Sequence, residues 1–139
     1  MNHIDIAWCA GFFDGEGCVR YNRSRPSSKG TVSPSLMATI SQVSENVEVL
    51  EFFQRTVGLG KVLGPYTMPN GKPQHRLWFG TDEVEPLFEM LRPYLKTRKT
   101  TDFIQAIYSY RNHSNEMNNE DDDRMFRAAE RQRAKSGRK

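Results

Sequence analysis

The sequence predicts an α+β domain in which one four-stranded antiparallel sheet is backed by helices. Three observations predict it. Two stretches of alternating apolar and polar residues, each folded about a turn-rich loop, read as hairpins. Each hairpin is followed by apolar residues at helical spacing. This hairpin-plus-helix unit occurs twice in series behind an N-terminal helix, with one further helix after it. A chain of 139 residues with 37% hydrophobic content suits one domain with its own core, expected over residues 1–112, followed by an acidic-then-basic tail over 113–139.

The N-terminal helix contains Trp8-Cys9-Ala10-Gly11-Phe12-Phe13-Asp14-Gly15-Glu16-Gly17. Asp5 is expected to cap the free amides of its first turn. Ala7, Ala10, Gly11 and Asp14 fall three and four apart and so share one face, almost bare of side chains. Trp8, Cys9, Phe12 and Phe13 carry the apolar bulk expected to bury against a sheet. A bare face, with Gly11 and Gly15 four apart, suggests a second helix packed backbone to backbone. Gly15 and Gly17 surround Glu16 and allow its carboxylate to be aimed from the helix base.

Cys18 to Ser24 reads as a strand, Arg25 to Gly30 as a long polar turn, and Ser33 to Gln42 as the returning strand. Leu36, Ala38 and Ile40 face one way, into a core. Ser33, Ser35, Met37, Thr39 and Ser41 face the other, and Arg20, Asn22 and Ser24 continue that polar surface. A helix opened by Ser44-Glu45-Asn46 buries Val47, Leu50, Phe53 and Val57 and stops at Gly58-Leu59-Gly60. Lys61–Leu63 and His75–Phe79 form the second hairpin, with Leu77 and Phe79 inward and Arg76 and Trp78 outward. A third helix starting at Thr81 or Asp82 buries Val84, Leu87, Phe88 and Leu91. Beyond Pro93-Tyr94-Leu95 comes the basic run Lys96-Thr97-Arg98-Lys99. A last helix over about Thr100 to Tyr110 is expected to bury Phe103, Ile104 and Ile107, with Tyr108 a further candidate.

Net charge is only +3, too small to argue for a nucleic-acid partner by itself. Its distribution says more. Cys18 to Ser44 contains no Asp or Glu but has Arg20, Arg23, Arg25 and Lys29. Phe52 to Thr81 again has no acid, but has Arg55, Lys61, Lys72 and Arg76. The acids gather in the helical stretches Glu45–Glu51 and Asp82–Glu89. Cationic hairpins set against acidic helices imply one cationic sheet face, whose simplest partner is a polyanion. Arg20, Asn22, Ser24, Arg25, Lys29, Ser33, Ser35, Met37, Thr39, Ser41, Lys61, Lys72, Gln74 and Arg76 are its candidate contacts. Arginine suits guanine and asparagine suits adenine where such side chains reach the major groove. The two cysteines, Cys9 and Cys18, are too few for a disulfide framework or a metal knuckle and read as packing residues. No membrane span and no signal-peptide run is visible, so a soluble intracellular protein is expected, its compartment open between bacterial or phage cytoplasm, organelle and nucleus.

Cys9 to Gly17 resembles the nine-residue LAGLIDADG signature of homing endonucleases, with Cys9 where leucine is usual and Glu16 where aspartate is commoner. The resemblance extends over the element order from about Ile4 to Tyr110. It implies the αββαββα fold of that family, whose saddle-like sheet lays its concave face in the DNA major groove. It implies Glu16 as ligand of a divalent metal, Mg²⁺ with Mn²⁺ able to substitute, and the Gly15 backbone as a further candidate ligand. Gln42 matches the polar residue near the metal and the attacking water. The basic run matches the place of a lysine near the scissile phosphate; Arg98 is the best positional match, with Lys96 and Lys99 as rivals. Arginine stays protonated, so at that position it would stabilise charge rather than transfer a proton.

One signature supplies one such acid. Double-strand cleavage then implies a homodimer joined through the motif helix at Ala7, Ala10, Gly11 and Asp14, and a roughly palindromic target. The family cuts across the minor groove, leaves 3′ overhangs and serves intron or intein mobility. The alternative on the same scaffold is a non-cleaving nucleic-acid binder, such as an intron-splicing maturase, which needs the basic sheet but can lose the acid. The tail runs from polar His113–Asn119 through acidic Glu120–Asp123 to basic Arg124–Lys139. It is expected to be partly disordered, with DNA backbone contact or nuclear targeting as further readings.

Overall fold

The computed structural model describes residues 2–23, 25–27, 30–69 and 71–113, with backbone alone at 25–27, 31 and 32. Helix α1 spans His3–Glu16. Its cap is Asn2, whose Oδ1 accepts from the amides of Ile4 at 2.9 Å and Asp5 at 3.4 Å. Asp5, the expected cap, instead lies in the first turn, where a carboxylate suits the positive end of the helix dipole. Ile6, Cys9, Ala10 and Phe13 are the buried stripe of α1.

Strand β1 (Gly17–Asn22) follows without a loop and pairs antiparallel with β4 (Ser35–Val43), from Gly17 opposite Ile40 to Asn22 opposite Ser35. Between them the expected polar turn is itself a small ribbon. Strands β2 (Arg25–Ser27) and β3 (Gly30–Val32) pair antiparallel with each other, from Arg25 opposite Val32 to Ser27 opposite Gly30, as a two-stranded sheet of their own. A 3-10 turn at Ser44–Asn46 leads into α2 (Val47–Val57), which ends at Gly58 with φ 70°. That left-handed angle suits glycine. Then come β5 (Lys61–Tyr66), β6 (Gln74–Phe79), α3 (Thr81–Leu91) and α4 (Lys99–Arg111). The sheet order is β1-β4-β6-β5, so the two hairpin-plus-helix units meet through their inner strands β4 and β6. This is the four-stranded antiparallel α+β architecture that the sequence predicts.

The core lies between the sheet and the helices. Leu36, Ala38, Ile40, Leu77 and Phe79 come from the sheet, and Phe13, Leu50, Phe53, Val84, Leu87, Leu91 and Phe103 from the helices, all buried. Ring contacts knit the helix layer: Phe103 lies 5.1 Å from Phe13 and 4.9 Å from Phe88, centroid to centroid. Each of the larger of these buried side chains contributes roughly 1.5–3 kcal/mol. The carboxylate of Glu83 accepts from the amides of Gly80 at 3.1 Å and Gly60 at 2.8 Å, tying the start of α3 to the loop before β5.

Helix α4 differs from expectation. Its buried residues are Phe103, Ala106 and Ile107. Ile104 is 48% and Tyr108 67% exposed, because the face that packs on β1 is rotated by one residue from the expected stripe. Among the described residues no helix is long and apolar enough to cross a membrane. The expectations for the tail from Ser114 onward, and for Ser24 and Lys29, lie outside the described residues.

Candidate functional site

The two acids of the N-terminal motif are two residues apart and have different surroundings. Asp14 is engaged by the chain that precedes α4. Its Oδ2 accepts from the Lys96 amide at 2.8 Å, and its Oδ1 from the Thr97 amide at 3.2 Å and the Thr97 hydroxyl at 2.6 Å. The same hydroxyl oxygen accepts from the Lys99 amide at 3.2 Å, so Thr97 also satisfies a free amide at the start of α4. Partial burial alone would raise the Asp14 pKa, but the Thr97 and Lys96 hydrogen bonds and the Lys99 charge outweigh it and hold the carboxyl below its usual range. Glu16 is exposed, and among the described residues it has no hydrogen-bond or ion-pair partner. Of the two carboxylates, only Glu16 is free to take a ligand.

Glu16 stands where three surfaces meet. It ends α1, it immediately precedes the first ladder pair of the sheet, Gly17 with Ile40, and it lies two residues from the acid that grips the basic loop. In that loop Lys96 and Arg98 are exposed and Lys99 is half-buried, its charge acting on Asp14. No strand of the four-stranded sheet contains an acid. The face turned away from the helices carries five cross-strand rows: Asn22 with Ser35; Arg20 with Met37; Cys18, Thr39, Trp78 and Lys61; Ser41, Arg76 and Leu63; and Val43, Gln74 and Tyr66. Arg20, Lys61 and Arg76 are exposed on it, and the Arg76 guanidinium lies 5.5 Å from the centroid of the Tyr66 ring. Exposed Glu45, Glu48, Glu51, Asp82 and Glu89 sit on the opposite, helical side. The molecule therefore has one acid-free sheet surface, suited to a polyanion.

The sequence profile of the LAGLIDADG endonuclease family matches residues 9–110. The chain belongs to the LAGLIDADG endonuclease family. It is 32% identical over 92 residues to the intron-encoded DNA endonuclease ai2b of Dictyostelium discoideum, covering 66% of this chain and 32% of that protein. It thus spans about a third of the length of that curated relative. Its fold is similar to the homing endonuclease I-CvuI in complex with a DNA target, with TM-score 0.62, 21% identity and coverage of 80% of this chain and 72% of that one. It is also similar to the archaeal intron-encoded homing endonuclease I-Vdi141I complexed with DNA, with TM-score 0.61, 19% identity and coverage of 81% and 70%.

Within the LAGLIDADG frame the other expected site residues are distributed as follows. Gln42 is half-buried on β4, directly opposite His75. It leaves the β1–β4 ladder at the end where Glu16 enters it, and its alternation with Ala38 and Ile40 puts it on the helical side of the strand. His75 Nδ1 and Ser44 Oγ are hydrogen-bonded at 2.7 Å beside it, a pairing the sequence pattern did not suggest. Asn22 donates through Nδ2 to Ser35 Oγ at 3.3 Å, and both lie at the end of the sheet away from Glu16. Ser33 is exposed just before β4, Gln74 is half-buried at the start of β6, and Lys72 is exposed on the β5–β6 loop. Arg25 has only its backbone described, in β2.

The expected helix-packing face of α1 needs correction. Ala10 is fully buried in the chain's own core and Asp14 is bound to the basic loop, so neither is available to a second helix. The open strip is Ile4, 79% exposed, Trp8, 44% exposed, and the exposed glycines Gly11 and Gly15, with Ala7 half-buried beside it. Trp8 was expected to bury against the sheet. It instead stacks on Phe12 at 5.2 Å and meets the edge of Phe52 at 5.3 Å, on the outside of the molecule. The residue that sequence reasoning missed altogether is Thr97.

Proposed function

We propose that this chain is a divalent-metal-dependent, site-specific DNA endonuclease, working as a homodimer that makes a double-strand cut in a long pseudo-palindromic site. The observation that carries this reading is the exposed carboxylate of Glu16, without a partner among the described residues, at the junction of an acid-free sheet and a basic loop. Such a carboxylate beside a polyanion surface suits a hard cation, since Mg²⁺ takes carboxylate, water and phosphate oxygens and Mn²⁺ accepts the same donors. Among the described residues no group of three or more His, Cys, Asp or Glu converges. In this reading the remaining donors are the Gly15 carbonyl, DNA phosphate, water and the same acid of a second copy. The bound metal supplies charge neutralisation at the phosphodiester and activation of the attacking water.

The chain's own groups do the rest. The sheet face docks in the major groove. Arg20, Lys61 and Arg76 there neutralise phosphates or read base edges. Arg98 contributes permanent positive charge at the scissile phosphate, with Lys96 and Lys99 beside it. The Gln42 amide orients water at the same end of the sheet. Two α1 helices pack through Ile4, Trp8, Gly11 and Gly15, where the glycines admit a close backbone approach, and this brings two copies of Glu16 to one DNA duplex. The I-CvuI complexes, described in the presence of Mg with the DNA not cleaved and in the presence of Ca, support divalent-metal use in the family, and the intron-encoded relative supports a role in intron mobility.

Selection of cut sites from a randomised duplex library containing the gene's own insertion junction tests this. Double-strand cuts in Mg²⁺, abolished by chelator and mapping to a pseudo-palindrome, are the expected outcome. Tight, salt-sensitive binding without any cut would move the function to the non-cleaving binder or splicing maturase.

A further inference from the structure

We infer that Thr97 is a positioning residue of the cleavage centre, its hydroxyl joining Asp14 to the start of α4 and so setting where Arg98 stands relative to Glu16. This rests on the endonuclease reading above. The Thr97 hydroxyl gives its proton to Asp14 Oδ1 at 2.6 Å and uses its oxygen to accept from the Lys99 amide at 3.2 Å. The amides of Lys96 and Thr97 bind both oxygens of the same carboxylate at 2.8 and 3.2 Å. The residues on both sides of Arg98 are therefore tied down, one to α1 and the other to Thr97. Arg98 itself has φ −60° and ψ −9° and supplies no side-chain cap to α4.

Burial does not hold this loop. Lys96, Thr97 and Arg98 are exposed, and the nearest core anchors are Leu95 on one side and Phe103 on the other. Hydrogen bonds to a carboxylate two residues from Glu16 are what set its place. Because Asp14 and Glu16 ride on one helix, the Asp14–Thr97 contact turns the rigidity of α1 into a fixed separation between acid and guanidinium. A cation that acts on a phosphate purely by position depends on such support.

The test uses the full chain, the DNA site selected as above, and Thr97→Val, Thr97→Ser, Arg98→Ala and the Thr97→Val/Arg98→Ala double variant. Single-turnover cleavage in Mg²⁺ is measured at saturating protein, with DNA affinity measured in chelator. Thr97→Val is expected to slow cleavage by about 10–100-fold, the usual effect of removing an outer support. Its affinity is expected to be unchanged, and Thr97→Ser, which keeps the hydroxyl, is expected to restore the rate. On the Arg98→Ala background Thr97→Val should add no further loss, because the positioned group is already gone. Wild-type rates for Thr97→Val, failure of Thr97→Ser to rescue, or full additivity with Arg98→Ala would overturn the inference while leaving the endonuclease reading intact. A wild-type protein that cuts no site would overturn both.

Discussion

Gly17 lies flat against the ring of Phe13: a Cβ at Gly17 would stand 2.5 Å from two of its ring carbons. Phe13 is fully buried and packs on Phe103, so it has no open side to move into. The last glycine of the motif is thus required by the protomer's own packing. Gly17→Ala is expected to destabilise the fold by about 1–3 kcal/mol, the cost of an overpacked core. A lowered denaturant midpoint is the readout, and an unchanged midpoint would contradict the contact.

Gly11 is the opposite case. A Cβ there meets nothing within 4 Å, so the protomer itself does not need glycine at that position. Glycine in a helix interior costs about 1 kcal/mol relative to alanine, and Gly11→Ala should leave the protomer as stable or more so. Gly11→Leu, filling the open strip between Ile4, Trp8 and Gly15, should weaken self-association. Sedimentation equilibrium reads this, and undiminished dimerisation would place the contact between protomers elsewhere.

The two cysteines should differ in reactivity. Burial, with the charge of Asp5 adding and a hydrogen bond from Thr56 opposing, pushes the Cys9 thiol up to about 11. Cys18 lies on the open sheet face opposite Thr39. Iodoacetamide should modify Cys18 in the native protein and reach Cys9 only after unfolding. The stability consequence follows from proton counting. An unfolded thiol ionises near pH 8.5, whereas folded Cys9 keeps its proton up to about 11. Between those values the unfolded chain binds fewer protons. The contribution is therefore complete below the window and falls as pH rises through it, by up to about 1.4 kcal/mol per pH unit. Denaturation at pH 8 and pH 10.5 should show this loss in the wild type and a smaller one in Cys9→Ala.

On the sheet, Arg76 and Lys61 should behave differently. The Arg76 guanidinium lies over the Tyr66 ring and offers the fork geometry of bidentate base reading, whereas Lys61 is an exposed strand-end point charge. Arg76→Ala is expected to relax discrimination at one base pair by about 1–3 kcal/mol, and Lys61→Ala to weaken all sequences alike and reduce the salt slope by about 1. Binding measured across single-base target variants and a salt series separates the two.

What was legible in the sequence was whatever repeats with a period. Leu36, Ala38 and Ile40 alternate, and Val84, Leu87, Phe88 and Leu91 recur at helical spacing; all seven are buried. Helix α4 misled because Phe103, Ile104, Ala106, Ile107 and Tyr108 allow two overlapping apolar stripes, and only packing on β1 chooses between them. Asn2 and Asp5 are both capping types close together, and the backbone angle at Asn2 decided which one caps. The ribbon of β2 and β3 overlaps Arg25-Pro26-Ser27-Ser28-Lys29-Gly30, whose Pro, Ser and Gly read as a turn in the sequence. The different surroundings of Asp14 and Glu16 were invisible for a different reason. Two residues apart in the motif, they are distinguished by a partner, Thr97, that lies 83 residues from Asp14.

The central claim is that Glu16 is the free carboxylate of the site, and Glu16→Gln tests it most directly because the substitution keeps shape and removes charge. Thermal melting, DNA affinity in chelator and single-turnover cleavage in Mg²⁺ should be measured together. Unchanged melting, retained binding and loss of cutting are the expected result. Cleavage by Glu16→Gln at the wild-type rate would contradict the assignment of Glu16 and with it the proposed chemistry of the site.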